Sequence, residues 1–191
     1  MKRIFAVAAL VAVLATLGIE AAAQKNISRQ EGTRIHVSLF GERGYGAGLA
    51  AGATWLYGNG FSLSAGLDGE WNQRPNNGNN FFAAAYGEAK YSFLKGSVSP
   101  FVAARLKGRF LIPSHLKEGT NTDGFSRVSS QIDLFGIGLA GLDFSRFALW
   151  GGIGGGPSLF TEESKDADLK VSKDSHHYLD LTYSFGLTYW F

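Results

Sequence analysis

Apolar residues recur at every second position through most of this chain. Near the C-terminal end, Leu179, Leu181, Tyr183, Phe185, Leu187, Tyr189 and Phe191 share one parity. Tyr178, Asp180, Thr182, Ser184, Gly186, Thr188 and Trp190 take the other. A period of two is that of a β-strand with one apolar face. Phe61, Leu63, Ala65, Leu67, Gly69 and Trp71 repeat the pattern against Ser62, Ser64, Gly66, Asp68 and Glu70. Val102, Ala104, Leu106 and Phe110 repeat it against Arg105, Lys107 and Arg109. The pattern predicts eight strands, at 33–40, 46–57, 61–71, 81–93, 100–112, 127–142, 147–160 and 177–191. The sixth is the least regular, because Gly136, Ile137, Gly138, Leu139, Ala140 and Gly141 blur the alternation, and a bulge is expected there.

The connections between these strands alternate in character. Gly58-Asn59-Gly60 is a tight hairpin signal, and Leu94–Ser99 and Asp143–Arg146 complete a short set. Asn72–Asn80, Pro113–Ser126 and Thr161–His176 form a longer, more polar set, with the short Gly41–Tyr45 on the same side. With an even number of strands, both ends of the barrel fall on the short-turn side.

The N-terminus reads as something other than fold. Lys2 and Arg3 precede an apolar run from Ile4 to Gly18, broken only by Thr16. Ala21-Ala22-Ala23 then supplies small residues for cleavage, the pattern of a secretory signal. The apolar run is short for a spanning helix, which takes about 20 residues. The expected organisation is a cleaved signal at 1–23, an N-terminal periplasmic segment at 24–32 and a barrel at 33–191. No later segment is apolar enough for a membrane helix.

Composition narrows the chemistry. There is no cysteine, which removes disulfides, thiolate catalysis and cysteine metal sites. The formal net charge of +2 gives no case for nucleic acid as a partner. Twenty-six glycines beside four prolines, without a strict repeat, fit closely packed strands rather than collagen or a linker.

Charges fall mid-strand on the polar face. Arg34, His36, Asp68, Glu70, Glu88, Lys90, Arg105, Lys107, Arg109, Gln131, Asp133 and Asp180 are the expected lumen set. Arg or Lys turned to lipid costs about 2–4 kcal/mol at the bilayer midplane, so in a membrane barrel these groups face inward. A soluble lipocalin-like barrel alternates in the same way and is the structural competitor. Aromatic residues near predicted strand ends favour the membrane: Trp55, Tyr57 and Phe61; Trp71, Phe81 and Phe82; Phe93 and Phe101; Phe144 and Phe147. Rings at two levels match interfacial girdles.

The chain closes on Tyr183-Ser184-Phe185-Gly186-Leu187-Thr188-Tyr189-Trp190-Phe191. This segment resembles the C-terminal assembly signal of outer-membrane barrel proteins, with Tyr183, Phe185, Leu187, Tyr189 and Phe191 in the alternate positions. Together with strand number and length, it makes the chain similar to the small eight-stranded outer-membrane barrels, the OmpA/OmpX/OmpW-like group. The resemblance implies an all-β, antiparallel, up-and-down transmembrane barrel in the cell outer membrane, with short periplasmic turns and longer outer loops. It implies outer-membrane lipids as surroundings, and barrel-assembly machinery and periplasmic chaperones as partners during biogenesis.

Candidate chemistry is sparse. Some small barrels are lipid A deacylases that use a His-x-Ser element with a carboxylate. His36-Val37-Ser38 with Glu42 nearby offers that spacing, but His36 and Ser38 share the polar face with Arg34 and should point away from lipid. His176 and His177 are adjacent, so on a strand they point to opposite faces and cannot chelate together. Glu162–Asp168 is acidic but lacks the spacing of a calcium loop. Gly151–Gly156 has no following helix and is not a nucleotide loop. An eight-stranded barrel is just wide enough to be filled by its own side chains, so the lumen set is expected to be a network of paired charges. The sequence therefore points to a non-enzymatic envelope protein without cofactor or metal, with a structural or surface-interaction role through its outer loops. A narrow porin or hydrophobic-solute path is the alternative, and a lipid A-modifying deacylase the second.

Overall fold

The computed structural model describes residues 31–42, 46–74, 78–94, 96–112, 125–165 and 171–191. The expected signal at 1–23 lies outside the described residues, as does nearly all of the 24–32 segment. Eight strands follow one another: β1 (Gly32–Glu42), β2 (Gly46–Leu56), β3 (Phe61–Arg74), β4 (Gly78–Ser92), β5 (Ser99–Ile112), β6 (Phe125–Asp143), β7 (Phe147–Lys165) and β8 (Val171–Trp190). Each pairs antiparallel with the next, and β8 returns to β1 to close the ring. The fold is an all-β, up-and-down barrel, as the alternation predicts.

The expected tight turn joins β2 to β3. Gly58 and Gly60 adopt φ of 68° and 93°, where a side chain is disfavoured. The Asn59 side chain accepts a hydrogen bond from the Phe61 backbone N–H at 2.9 Å. The β4–β5 and β6–β7 connections lie at this same turn end. So do both ends of the ring: the Trp190 N–H donates to the Arg146 carbonyl, and the Phe191 N–H to that of Ile35.

At the opposite end, here called the crest, the structure corrects the sequence reading. Much of two expected long connections is strand. β3 and β4 run on to Arg74 and from Gly78, while β7 reaches Lys165 and β8 starts at Val171 rather than 177. The ladder continues because backbone pairing does not require an apolar face: Ser172, Lys173, Asp174 and Ser175 lie opposite Ser164, Glu163, Glu162 and Thr161. The wall is therefore uneven. β1 and β2 have 11 residues each, and β7 and β8 have 19 and 20. The β1–β8 register stops at Glu42↔Ser184, so Val171–Tyr183 continue past the end of β1.

Two further expectations are corrected. The register shift in β6 falls between Val128 and Ser130, not in the glycine-rich stretch 136–141, which pairs regularly with β7. Gly154 and Gly156 explain why: a Cβ there would strike the carbonyls of Gly136 and Leu134, so the two backbones lie close without breaking register. Phe82 and Phe101, expected in the girdles, are buried inside the ring, because each falls on the inward parity of its strand.

Candidate functional site

Which side chains enter the lumen follows from strand parity, and what fits there follows from volume. Inward rings face inward glycines across neighbouring strands: Phe40 opposite Gly48, His36 opposite Gly52, Tyr86 opposite Gly66, Phe101 opposite Gly141 and Trp150 opposite Gly186. A Cβ at any of these glycines would meet the ring opposite. Five of the glycines thus make room for aromatic filling. Phe40, Tyr86, Phe101 and Trp150 form one buried cluster with Phe135, Ile137, Leu139 and Trp190.

Against these rings the cations stack. Lys90 Nζ lies 4.9 and 4.5 Å from the Phe101 and Trp190 rings. The Arg105 guanidinium lies 4.9 and 4.7 Å from Tyr86 and Trp150. Lys107 Nζ sits 4.8 Å from Phe40, and the Arg109 guanidinium 4.6 and 4.8 Å from Phe82 and Phe135. Such contacts contribute about 0.5–2 kcal/mol each, more where water is excluded.

The carboxylates sort into two layers. Toward the turn end, Lys90 Nζ donates to Asp143 Oδ1 at 2.8 Å, and the Ser92 hydroxyl donates to Asp143 Oδ2 at 2.5 Å. Arg105 donates to Glu88 Oε2 from both Nε and Nη2, at 2.9 and 2.6 Å. Toward the crest, Arg109 Nη1 donates to Glu42 at 3.0 Å and to both Glu70 oxygens at 3.0 and 3.1 Å. Arg109 Nε donates to Asp133 at 2.5 Å. Lys107 Nζ lies 3.0 Å from Glu42, 3.4 Å from Asp68 and 3.4 Å from Glu70. Gln131 and the Ser158 hydroxyl also donate to Asp133. Arg109, Glu42, Glu70 and Asp133 have side chains at most 1% exposed. Strands β1, β3, β5 and β6 meet in this knot, which bridges the barrel interior.

Most of the expected lumen set lies in these layers. His36, Asp68, Glu70, Lys90, Lys107, Arg109, Gln131 and Asp133 are buried, and Glu88 and Arg105 nearly so. Arg34 and Asp180 are half-buried near the two mouths and join neither layer through the contacts above. Sequence reasoning missed Glu42 and Asp143 as lumen groups. Glu42 lies past the expected end of the first strand, and Asp143 falls in an expected turn. Parity could have found both: Glu42 continues His36, Ser38 and Phe40, and Asp143 continues Gln131 and Asp133.

The His-x-Ser element does not assemble into a catalytic unit. His36 Nε2 is hydrogen-bonded to the Tyr86 hydroxyl at 2.5 Å and Nδ1 to that of Thr54 at 3.0 Å. The Ser38 hydroxyl bonds instead to Thr188 at 2.7 Å, and Glu42 is taken by Lys107, Arg109 and Thr182. A cavity of about 20 Å³ beside His36, Thr54, Ser64 and Lys90 has room for about one water. His176 stacks on Phe160 at 4.9 Å, while His177 lies opposite Leu159. No group of residues fit to hold a metal ion occurs among the described residues.

The outer face is the inverse of the lumen. Ile35, Leu49, Leu67, Leu106, Ile153, Leu179 and Leu181 are all more than half exposed. Tyr183, Phe185 and Phe191 of the expected C-terminal signal are exposed on this face, with Leu187 and Tyr189 half-buried. At the turn end, aromatic pairs ring the rim: Tyr57–Phe61, Tyr91–Phe93, Phe144–Phe147 and Tyr189–Phe191 have centroids 4.6–5.6 Å apart. Toward the crest, Trp71 and Phe81 are exposed register partners.

The chain is similar in structure to solved β-barrel and outer-membrane proteins. The N-terminal β-barrel domain of Pseudomonas aeruginosa OprF shares 13% identity over 84% of this chain and 98% of its own, with a TM-score of 0.44. A major outer membrane protein from Thermus thermophilus shares 14% identity over 84% and 100%, with a TM-score of 0.47. The outer membrane protein OprG from Pseudomonas aeruginosa shares 9% identity over 85% and 97%, again with a TM-score of 0.47. No protein-family model and no curated protein matches the sequence. The barrel itself is established by the strand pairing, and no function is carried over from these structures.

Proposed function

We propose that the protein is an integral outer-membrane barrel that does not conduct, and that acts as a rigid anchor for an uneven crest of strands and loops at the cell surface. The observation that carries this reading is the Arg109 knot, four side chains at most 1% exposed that join β1, β3, β5 and β6 across the lumen. A path for ions would have to break several charge-assisted hydrogen bonds at once. The membrane location is supported by the inverted polarity of the wall. Soluble monomers rarely leave contiguous apolar patches beyond a few hundred Å², whereas here apolar side chains are exposed on all eight strands. The short-turn end faces the periplasm and the crest faces outward. Tyr183, Phe185, Leu187, Tyr189 and Phe191 serve as the assembly signal.

Planar-bilayer recording of the purified, folded protein tests the closed lumen: no stable unitary step is expected, and reproducible channels would overturn the reading. Gel migration of the membrane-fraction protein tests the location. Folded barrel should migrate faster before boiling than after, and a soluble protein lacking that shift would remove the central claim. His36→Ala should leave the acylation of lipid A unchanged by mass spectrometry, because His36 and Ser38 face the lumen.

A further inference from the structure

Beyond the end of β1, the inner face of β8 stands open above the lumen. β1 stops at Glu42↔Ser184, and the parity of Ser184 and Thr182 continues through Asp180, Tyr178, His176 and Asp174. Two rings thus lie between two carboxylates along one strand face. β7 adds a third ring at the same level. Phe160 is the register partner of His176 and stacks on it at 4.9 Å. The same ring meets Tyr178 edge to face at 5.5 Å and 75°. Rings set at such an angle form a corner rather than a flat wall. The corner is accessible: Asp174 and His176 are exposed, and Phe160, Tyr178 and Asp180 are half-buried. Below it, Gln131 and Ser158 are turned to Asp133 and close the floor.

The charges around this face are sorted by register. Glu162 pairs with Asp174 on β8 and with Val128 on β6, so acidic positions gather at the inner parity. Basic positions of the same strands fall one residue out of step. Arg127 and Lys173 both pair with Glu163, and Lys173 shares its parity with the outward Leu179 and Leu181. The register shift between Val128 and Ser130 produces this sorting. Without it, Arg127 would take the parity of Gln131 and Asp133. Among the described residues, no Lys or Arg side chain shares the inner face of β7 and β8 above Ser158. Ring faces carry negative potential, and carboxylates at either end add to it. Such a face attracts a cation and repels an anion. A bare metal ion is a poor match, because no group of residues fit to hold one occurs among the described residues. An alkylammonium group suits the corner, since its methyl groups lie against ring faces while the rings and carboxylates meet its charge.

We propose that Phe160, Asp174, His176, Tyr178 and Asp180 form a binding site for a small, soluble organic cation of the alkylammonium class. The ligand reaches the corner over the low wall of β1 and β2 and stops at the closed Arg109 layer. It is held there rather than passed through. The site itself needs only the strand register; that it meets cations outside the cell rests on the outward orientation of the crest.

NMR titration of the folded, isotope-labelled protein with choline, in micelles of an uncharged detergent, tests the site without reference to orientation. Saturable shifts are expected at Phe160, at His176 and Tyr178, and at their neighbours. The neutral isostere of choline, with a tert-butyl group in place of trimethylammonium, should bind about fivefold more weakly or worse. Phe160→Leu and Tyr178→Leu should each weaken choline about threefold, and D174N/D180N about fivefold. Added salt should weaken it as well. Absence of saturable shifts, shifts centred elsewhere, equal binding of the neutral isostere, or unchanged affinity in the variants overturns the proposal. If a variant does not fold, judged by gel migration, the comparison of choline with its isostere on the wild-type barrel decides. Phosphatidylcholine vesicles supply the last arm. Free choline should still bind there, and loss of its signal would assign the corner to a lipid head group and overturn the soluble ligand.

Discussion

At the turn end of the lumen charges meet one to one, whereas at the crest end they meet many to many. Lys90 has Asp143, and Arg105 has Glu88, each cation lying between two rings. Arg109 instead holds three carboxylates, and Lys107 lies within 3.4 Å of three. A buried ion pair is weak evidence of net stabilisation, but removing one partner leaves the other uncompensated. The two layers should therefore answer mutation differently. A turn-end deletion orphans one charge and can be repaired by deleting its partner, while a crest-end deletion orphans several.

The largest effect is expected from Arg109→Met. It strips donors from Glu42, Glu70 and Asp133 together and should cost about 3–5 kcal/mol, read as the urea midpoint in lipid vesicles. Arg109→Lys should not rescue it, because an ammonium cannot reproduce the fork that serves separate carboxylates. Lys107→Met should cost somewhat less, about 3 kcal/mol, since Arg109 still holds Glu42 and Glu70. Lys90→Met comes next at no more than about 3 kcal/mol, and adding Asp143→Leu should recover most of that loss. If it does not, the turn-end layer is no simpler than the crest-end one. Gly48→Ala should cost about 1–3 kcal/mol by overpacking, because its new methyl runs into the Phe40 ring on which Lys107 stacks. Arg105→Gln should cost about 2 kcal/mol, because it gives up a two-donor pair with Glu88 and its place between the Tyr86 and Trp150 rings.

The barrel was legible in the sequence because a period of two is a direct imprint of a wall with unlike solvents on its two faces. Leu179 through Phe191 and Phe61 through Trp71 needed nothing more. The crest was less legible. Ser172, Lys173, Asp174 and Ser175 extend β8 with no apolar residue among them to mark the alternation. Phe82 and Phe101 mislead because an aromatic near a strand end looks the same whether it faces lipid or lumen. Only strict parity, Phe82 with Ala84 and Tyr86, separates the cases. The identity of most lumen charges was readable from the same parity. Their grouping was not, because it depends on the stagger that sets Glu42 of β1 beside Arg109 of β5, 67 residues away.

The β1–β8 register has a kinetic consequence. Ser38 bonds Thr188 across a separation of 150 residues, and the Phe191 amide reaches back to Ile35. The other seven strand pairs are neighbours along the chain and can zip as hairpins, but this one is the most non-local contact the topology allows. Loop-closure entropy is set against it until both partners are present. Hairpins can therefore form early while the ring closes last. Until it closes, β1 and β8 each offer an unsatisfied edge, and the period before closure is when the chain is most exposed to aggregation and to proteolysis.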